Sequence, residues 1–288
     1  MSEGSTRTVA GGFLLPECPR WHDGALWLVD MRRGSVHRLA GDASELVASF
    51  DRPSAVGFWP DGTMVVVDGT KRIVHTLHEG RVRESLDLSR LTPHLNDMVI
   101  DRNGWAYVDA FGIDENGSVG SWTAEGCIVL VTFDSAPRVV AENLVAPNGI
   151  GISPDGRTLV VGEAVNQAGA RGAQLVGFTV AEDGSLSQRR IMGTIARGLG
   201  DGLCFDAEGG IWVGTAWGHE AQRFLDGEVV ERISLEDRRW ALACALGGPD
   251  LRTLFICTTA AAPGGDPSEF TDGRVEAVEV RVPGFAAW

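Results

Sequence analysis

ISPDGRTLVVG, residues 152–162, reads as one turn and one strand. Asp155-Gly156 supplies the positive φ that a short hairpin connection requires, and the apolar run behind it has the pattern of a strand buried on both faces. The same grammar recurs in RWHDGALWLVD (20–30), FWPDGTMVVVD (58–68), IDRNGWAYVDA (100–110), FDAEGGIWVGT (205–215) and, more loosely, LGGPDLRTLFICT (246–258). The turn glycines Gly24, Gly62, Gly104, Gly156 and Gly209 follow one another at about 40 to 50 residues, the period of propeller blades. With the looser turn near 250, six hairpins, each followed by further alternating segments, predict an all-β, six-bladed β-propeller occupying residues 1–288 as a single domain.

Two other architectures fit less well. A βα barrel needs amphipathic helices between strands, whereas only short pieces such as 88–95 have helical character, and a β-sandwich would not repeat one hairpin six times. The alternating GRVEAVEVRV near the C-terminus is expected to pair with TRTVA near the N-terminus, closing the ring and covering an open edge.

The 288 residues, 44% hydrophobic with 38 glycines, suffice for a full core. A formal net charge of −14 disfavours nucleic acid, because phosphate neutralisation needs clustered Lys and Arg. No stretch is apolar for long enough to span a membrane, and the start lacks a basic segment followed by an apolar one. Five cysteines (18, 127, 204, 244, 257) without a CxxC spacing indicate neither a disulfide framework nor a zinc knuckle. The expectation is a cytoplasmic protein that meets a small molecule.

Counting back eight residues from the turn glycines gives Ser54, Asn96, Asn148 and Asp201; Glu17 stands seven before Gly24. The first strand of each propeller blade lines the central channel, so these positions should converge at one end of it. Two carboxylates meeting there repel one another unless they share a proton or a cation, and no Lys or Arg occupies the corresponding positions. One divalent ion held by Glu17, Asp201 and the Asn148 carbonyl oxygen resolves the conflict. All-oxygen donors favour Ca²⁺, with Mg²⁺, Mn²⁺ and Zn²⁺ as alternatives. Any one of these residues alone reads as an Asx-turn; equivalent placement in four repeats with differing side chains argues for a ring of ligands.

PECPRWHDGALWLVDM, LNDMVIDRNGWAYVDAFG, APNGIGISPDGRTLVVGEA and GDGLCFDAEGGIWVGTA together resemble the senescence marker protein (regucalcin) and gluconolactonase family over nearly the whole length. That resemblance implies a metal held by Glu17, Asn148 and Asp201, and an Asn96 that contacts substrate or metal-bound water. One departure is visible. Where sugar-lactone members usually carry an Arg two residues ahead of the Asn, this chain has His94, and Asn-Asp-Met replaces the commoner Asn-Asp-Gly, which points away from a strongly hydrophilic aldonolactone.

Segments after each second strand return to the ligand end and are long and Gly-rich, as substrate-facing loops often are. They contribute Phe111, Trp122, Trp217 and His219 as candidate pocket walls, alongside His94 and Glu163. The expected reaction is cation-assisted opening of a lactone or related ester, with the ion polarising the carbonyl and lowering the pKa of water. Asp201 is the candidate base and Asn96 the candidate oxyanion donor, with Glu163 or His219 as alternative bases. No GxSxG elbow supports a serine nucleophile. A non-catalytic binding propeller with a structural ion, phosphotriester hydrolysis, and lyase or condensation chemistry are the alternatives, because a fold does not name a reaction.

Overall fold

The computed structural model describes residues 5–41, 43–112, 125–132, 134–167, 170–260 and 270–285. Six four-stranded antiparallel sheets stand around a central channel. Their innermost strands are Pro16–His22, Pro53–Phe58, Met98–Ile100, Asn148–Ile152, Leu199–Phe205 and Trp240–Gly247. Each of the five tip glycines singled out above lies at positive φ, between 68° and 84°. The sequence grammar thus maps directly onto hairpins.

Five blades take their four strands consecutively. The sixth is completed from the other end of the chain: Arg7–Phe13 pairs antiparallel with Thr271–Glu279, from Arg7 opposite Ala277 to Phe13 opposite Gly273. This is the expected closure, and it leaves the N-terminal strand outermost.

Burial falls from the inside of each blade outward. The second strands Met64–Asp68 and Ala106–Ala110 are buried at every position, while the outermost Ala43–Ser49 and Arg81–Asp87 are mostly exposed. Neighbouring blades stack through β-branched residues such as Val56, Val65, Val67, Val108 and Val129. Each buried Val or Leu contributes about 1.5–3 kcal/mol, so these layers can offset the cost of burying carboxylates in the channel.

The 88–95 segment forms a single turn rather than a helix, with Leu91 and Thr92 N–H both donating to Leu88 O. Pro93 ends it, since the residue before a proline is pushed out of helical geometry. Among the described residues the one helical element is the short 3-10 turn Glu236–Arg238, and no helix is long and apolar enough to cross a membrane. All five cysteines are free, and four are buried as small apolar residues.

Candidate active site in the channel

The inner strands do not run regularly into the channel. Pairing with the second strand is interrupted between Glu17 and Arg20, Pro53 and Ala55, Asn148 and Ile150, Gly200 and Leu203, and Ala241 and Ala243. Five blades therefore bulge at the same height, where the residues counted back from the turns sit. A bulge re-aims side chains that alternation would send into the sheet. In the third blade Asn96 N–H donates to Asp109 O at 2.9 Å, and Asp109 N–H donates to Asp97 O at 3.0 Å, ahead of the regular strand.

Gly149 shows why the amide of Asn148 is followed by glycine. Its φ is +71°, and a Cβ there would lie 2.1 Å from the backbone oxygen of Asp201. Only glycine lets the fourth and fifth blades approach closely enough for Asn148 and Asp201 to meet.

Asn96 Nδ2 donates to Asn148 Oδ1 at 2.8 Å. The Asn148 amide in turn hydrogen-bonds Asp201, favouring its ionised form, as does the Gly202 N–H at 3.1 Å. Burial nevertheless wins, and with the charge of Asp97 it raises the Asp201 carboxyl to about 8. Burial also pushes Glu17 well above the usual carboxylate range, reinforced first by Asp201 and then by Asp97 and Asp109. Asp109 is raised too, by its own complete burial and by Asp97; its Oδ1 accepts Asp97 N–H at 2.8 Å and its Oδ2 has no hydrogen-bond partner among the described residues.

Asp97, Asp109 and Arg20 extend the set anticipated from the repeats. Asp30 and Asp68 stand six residues after their turn glycines, whereas Asp109 stands five after Gly104, and in a strand one residue reverses the face. Arg20 supplies the counter-charge that the aligned positions lack: its Nη2 lies 3.1 Å from Asp97 Oδ1 and also bonds Met98 O. The bulge after Glu17 brings it there. Among the described residues Glu17 and Asp201 have no such cation in ion-pair contact.

That electrostatic imbalance is the test of whether a metal fits. Two carboxylates of raised proton affinity, Asp201 buried and Glu17 half-buried, an amide oxygen with a lone pair to spare and no basic partner among the described residues form a donor set suited to a hard divalent cation. Among the described residues no three His, Cys, Asp or Glu side chains group as metal ligands; the donors here are two carboxylates and one amide.

The expected pocket walls are placed as follows. His94 stacks on Phe111, ring centroids 5.8 Å apart and planes 12° from parallel. Burial, then the nearby Arg52 and Arg72, lowers His94 to about 4, so it is neutral at physiological pH. Trp217, 41% exposed, meets Trp240 edge-on at 4.8 Å, and Trp240 meets Phe270 in the same way at 5.5 Å. Both Trp217 and His219 hold positive φ, 61° and 62°, a conformation that costs a bulky residue free energy. The His219 ring is engaged by Arg239 O at 3.2 Å. Glu163 is tied down by Val145 N–H at 3.0 Å, Gln174 Nε2 at 2.8 Å and the Arg189 guanidinium. Trp122 lies outside the described residues.

A 6-deoxy-6-sulfogluconolactonase of Pseudomonas putida is 29% identical over 95% of this chain and 94% of its own length. A pentonolactonase of Haloferax volcanii is 25% identical over 92% of this chain and 88% of its own. The crystal structure of regucalcin, a calcium-binding protein of Agrobacterium tumefaciens, superposes with a TM-score of 0.78 at 20% identity, covering 99% of this chain and 96% of that one. Residues 15–260 match the SMP-30/Gluconolactonase/LRE-like region. A propeller with four family motifs converging on one channel end, matched over most of its length, belongs to the SMP-30/gluconolactonase/LRE-like family.

Proposed function

We propose that the protein hydrolyses a lactone at the end of the channel where Glu17, Asn96, Asn148 and Asp201 lie. The observation that carries this reading is the pair of carboxylates at the channel end, half-buried Glu17 and buried Asp201, with raised proton affinity and no basic partner among the described residues. Family membership and lactonase relatives support it. Glu17, Asn148 and Asp201 would hold one divalent cation, Ca²⁺ foremost and Zn²⁺, Mg²⁺ or Mn²⁺ as alternatives, whose charge polarises a carbonyl and acidifies water.

The chain's own groups account for the rest. Asp201, held at the channel end by the Gly202 N–H and the Asn148 amide, takes the proton of the attacking water. Water oxygen adds to the carbonyl carbon, the ring C–O bond breaks, and the proton passes from Asp201 to the departing alkoxide, leaving a hydroxy acid. The Asn96 amide stabilises the developing oxyanion. Its position follows from its backbone bond to Asp109, while Arg20 holds Asp97 beside it. Glu163 and His219 are occupied by structural partners, which favours Asp201 as the base.

Neutral His94 against Phe111 offers a flat aromatic wall where a guanidinium would offer donors to sugar hydroxyls. The substrate is accordingly proposed to be a lactone with fewer hydroxyls than an aldonolactone. A pH-stat panel of lactones, run with EDTA and then with cation added back, tests the reading. Acid release that stops with chelator and returns with the cation is expected. Turnover that persists in EDTA or in Glu17→Gln would refute it. Cation binding without turnover of any lactone would instead favour a binding propeller, or phosphotriester or lyase chemistry at the same ion.

A further inference from the structure

The channel does not end at the carboxylates. Below them, on the side of the hairpin turns, a cavity of about 360 Å³ opens among Trp21, Ile150, Ile152, Leu203, Phe205 and Leu246. That volume is at the small end of the range for ligand pockets, roughly 300–1,000 Å³. A smaller recess of about 130 Å³ adjoins it, walled by Phe58 and Ile100, and Phe285 borders both. Phe285 is brought there by the C-terminal segment, which crosses the turn side through Val280 N–H to Arg252 O, Pro283 O from Ala207 N–H, and Gly284 N–H to Leu251 O, at 2.7–2.8 Å.

Among the described residues, one Lys or Arg lines this apolar space. Arg20 lines both hollows, and 21% of its side chain is accessible although it reaches inward to Asp97. Of its five N–H donors, Nη1 uses one on Pro19 O and Nη2 uses two, on Asp97 Oδ1 and Met98 O. Two donors, Nε–H and one Nη1–H, therefore carry no hydrogen bond among the described residues. Among the described residues lining the larger cavity, Asp23 is the one carboxylate, and it lies at an exposed turn. An apolar chamber whose inner wall carries a guanidinium with spare donors is complementary to a carboxylate with an apolar body, not to a neutral or cationic molecule.

We propose that the turn-side cavity is a second small-molecule site, which takes a monocarboxylate of medium chain length, carboxylate on Arg20 and hydrocarbon against Trp21, Ile152, Leu203, Phe205 and Phe285. This site is separate from the carboxylate ring and does not depend on the lactonase reading. A ligand here shares Arg20 with Asp97, so the site lies one ion pair away from the reacting groups.

Titration calorimetry of the full chain with sodium octanoate in EDTA, with 1-octanol as the uncharged isostere, tests it. The chelator removes any cation that would bind octanoate at the opposite end. One octanoate per chain is expected, with octanol weaker by about tenfold or more, as befits loss of a charge-assisted pair. Arg20→Met should erase that preference. Because this variant leaves Asp97 unpaired and can fail to fold, Ala245→Phe provides a second arm: Ala245 lines the cavity, and the larger ring fills it. Ala245→Phe is expected to lose octanoate binding by more than about tenfold while lactone turnover persists. The proposal is overturned by absence of octanoate binding, by equal affinity for octanol, or by unchanged octanoate affinity in Ala245→Phe.

Discussion

Replacing Asp201 with Asn should stabilise the metal-free protein at the pH where it abolishes hydrolysis. Burial, aided by the Asp97 charge, raises the Asp201 carboxyl from its ordinary value near 3.8 to about 8. That difference corresponds to on the order of 5 kcal/mol between protonated and ionised forms of the folded state. The sign follows from linkage: the unfolded chain ionises near its ordinary value, so the favourable contribution of protonated Asp201 is complete below that pH. It then diminishes as pH rises toward 8 and is gone above it. The amide introduced by Asp201→Asn would neither ionise nor repel Glu17, whose proton affinity Asp201 raises more than any other charge. The buried histidines slope the other way: His94, lowered to about 4, becomes neutral at lower pH than in the unfolded chain. Because they are common to both proteins, they cancel in the comparison. Urea unfolding followed by tryptophan fluorescence in EDTA at pH 5 and pH 8 reads the difference. From pH 5 to 8 the wild type should lose about 3–4 kcal/mol relative to Asp201→Asn, with the variant the more stable at pH 8. Saturating calcium should reverse the order, since a ligand of the folded state stabilises only the protein that binds it. Parallel pH profiles in EDTA, or a variant less stable than wild type at pH 8, would refute the electrostatic account.

Glu17→Gln keeps the shape and removes one charge from the donor set, so calcium affinity and kcat/KM should fall together by about a hundredfold or more, measured by calorimetry and pH-stat. Gly149→Ala places a methyl against the Asp201 carbonyl and forces positive φ on a residue with a Cβ; about 2–4 kcal/mol of lost stability is expected by denaturation, with activity lost as well. His94→Arg replaces a neutral ring with a fork of donors, so discrimination between a plain δ-lactone and gluconolactone, read as the ratio of kcat/KM, should move toward the sugar. Trp217→Gly relieves the left-handed backbone of an exposed residue; stability should hold or rise slightly, by about 1 kcal/mol at most, while KM rises if the ring contacts substrate.

The turns are the most readable part of the chain because each tip needs a positive φ that glycine supplies, and this need recurs from blade to blade. Counting back from them locates Glu17, Asn96, Asn148 and Asp201, since a fixed strand length separates a turn from the channel mouth. Alternation cannot find Arg20: the bulge between Glu17 and Arg20 breaks the period of two, so its direction is invisible to a strand pattern. Asp109 differs by one residue from the recurrent position of Asp30 and Asp68, a signal present in the repeats yet readable only when the faces of the strand are compared. Glu163 looks available as a base in the sequence because its partners, Gln174 and Arg189, come from the next two strands of its blade. The turn-side cavity has no sequence signature at all, being made where several blade ends meet the C-terminal segment.

Anomalous scattering from crystals soaked in Mn²⁺ tests the central claim most directly. A single peak is predicted at about 2.0–2.4 Å from oxygens of Glu17, Asn148 and Asp201, absent in Asp201→Asn crystals. A peak at another place, or an empty ring in protein that turns over lactone, would contradict it.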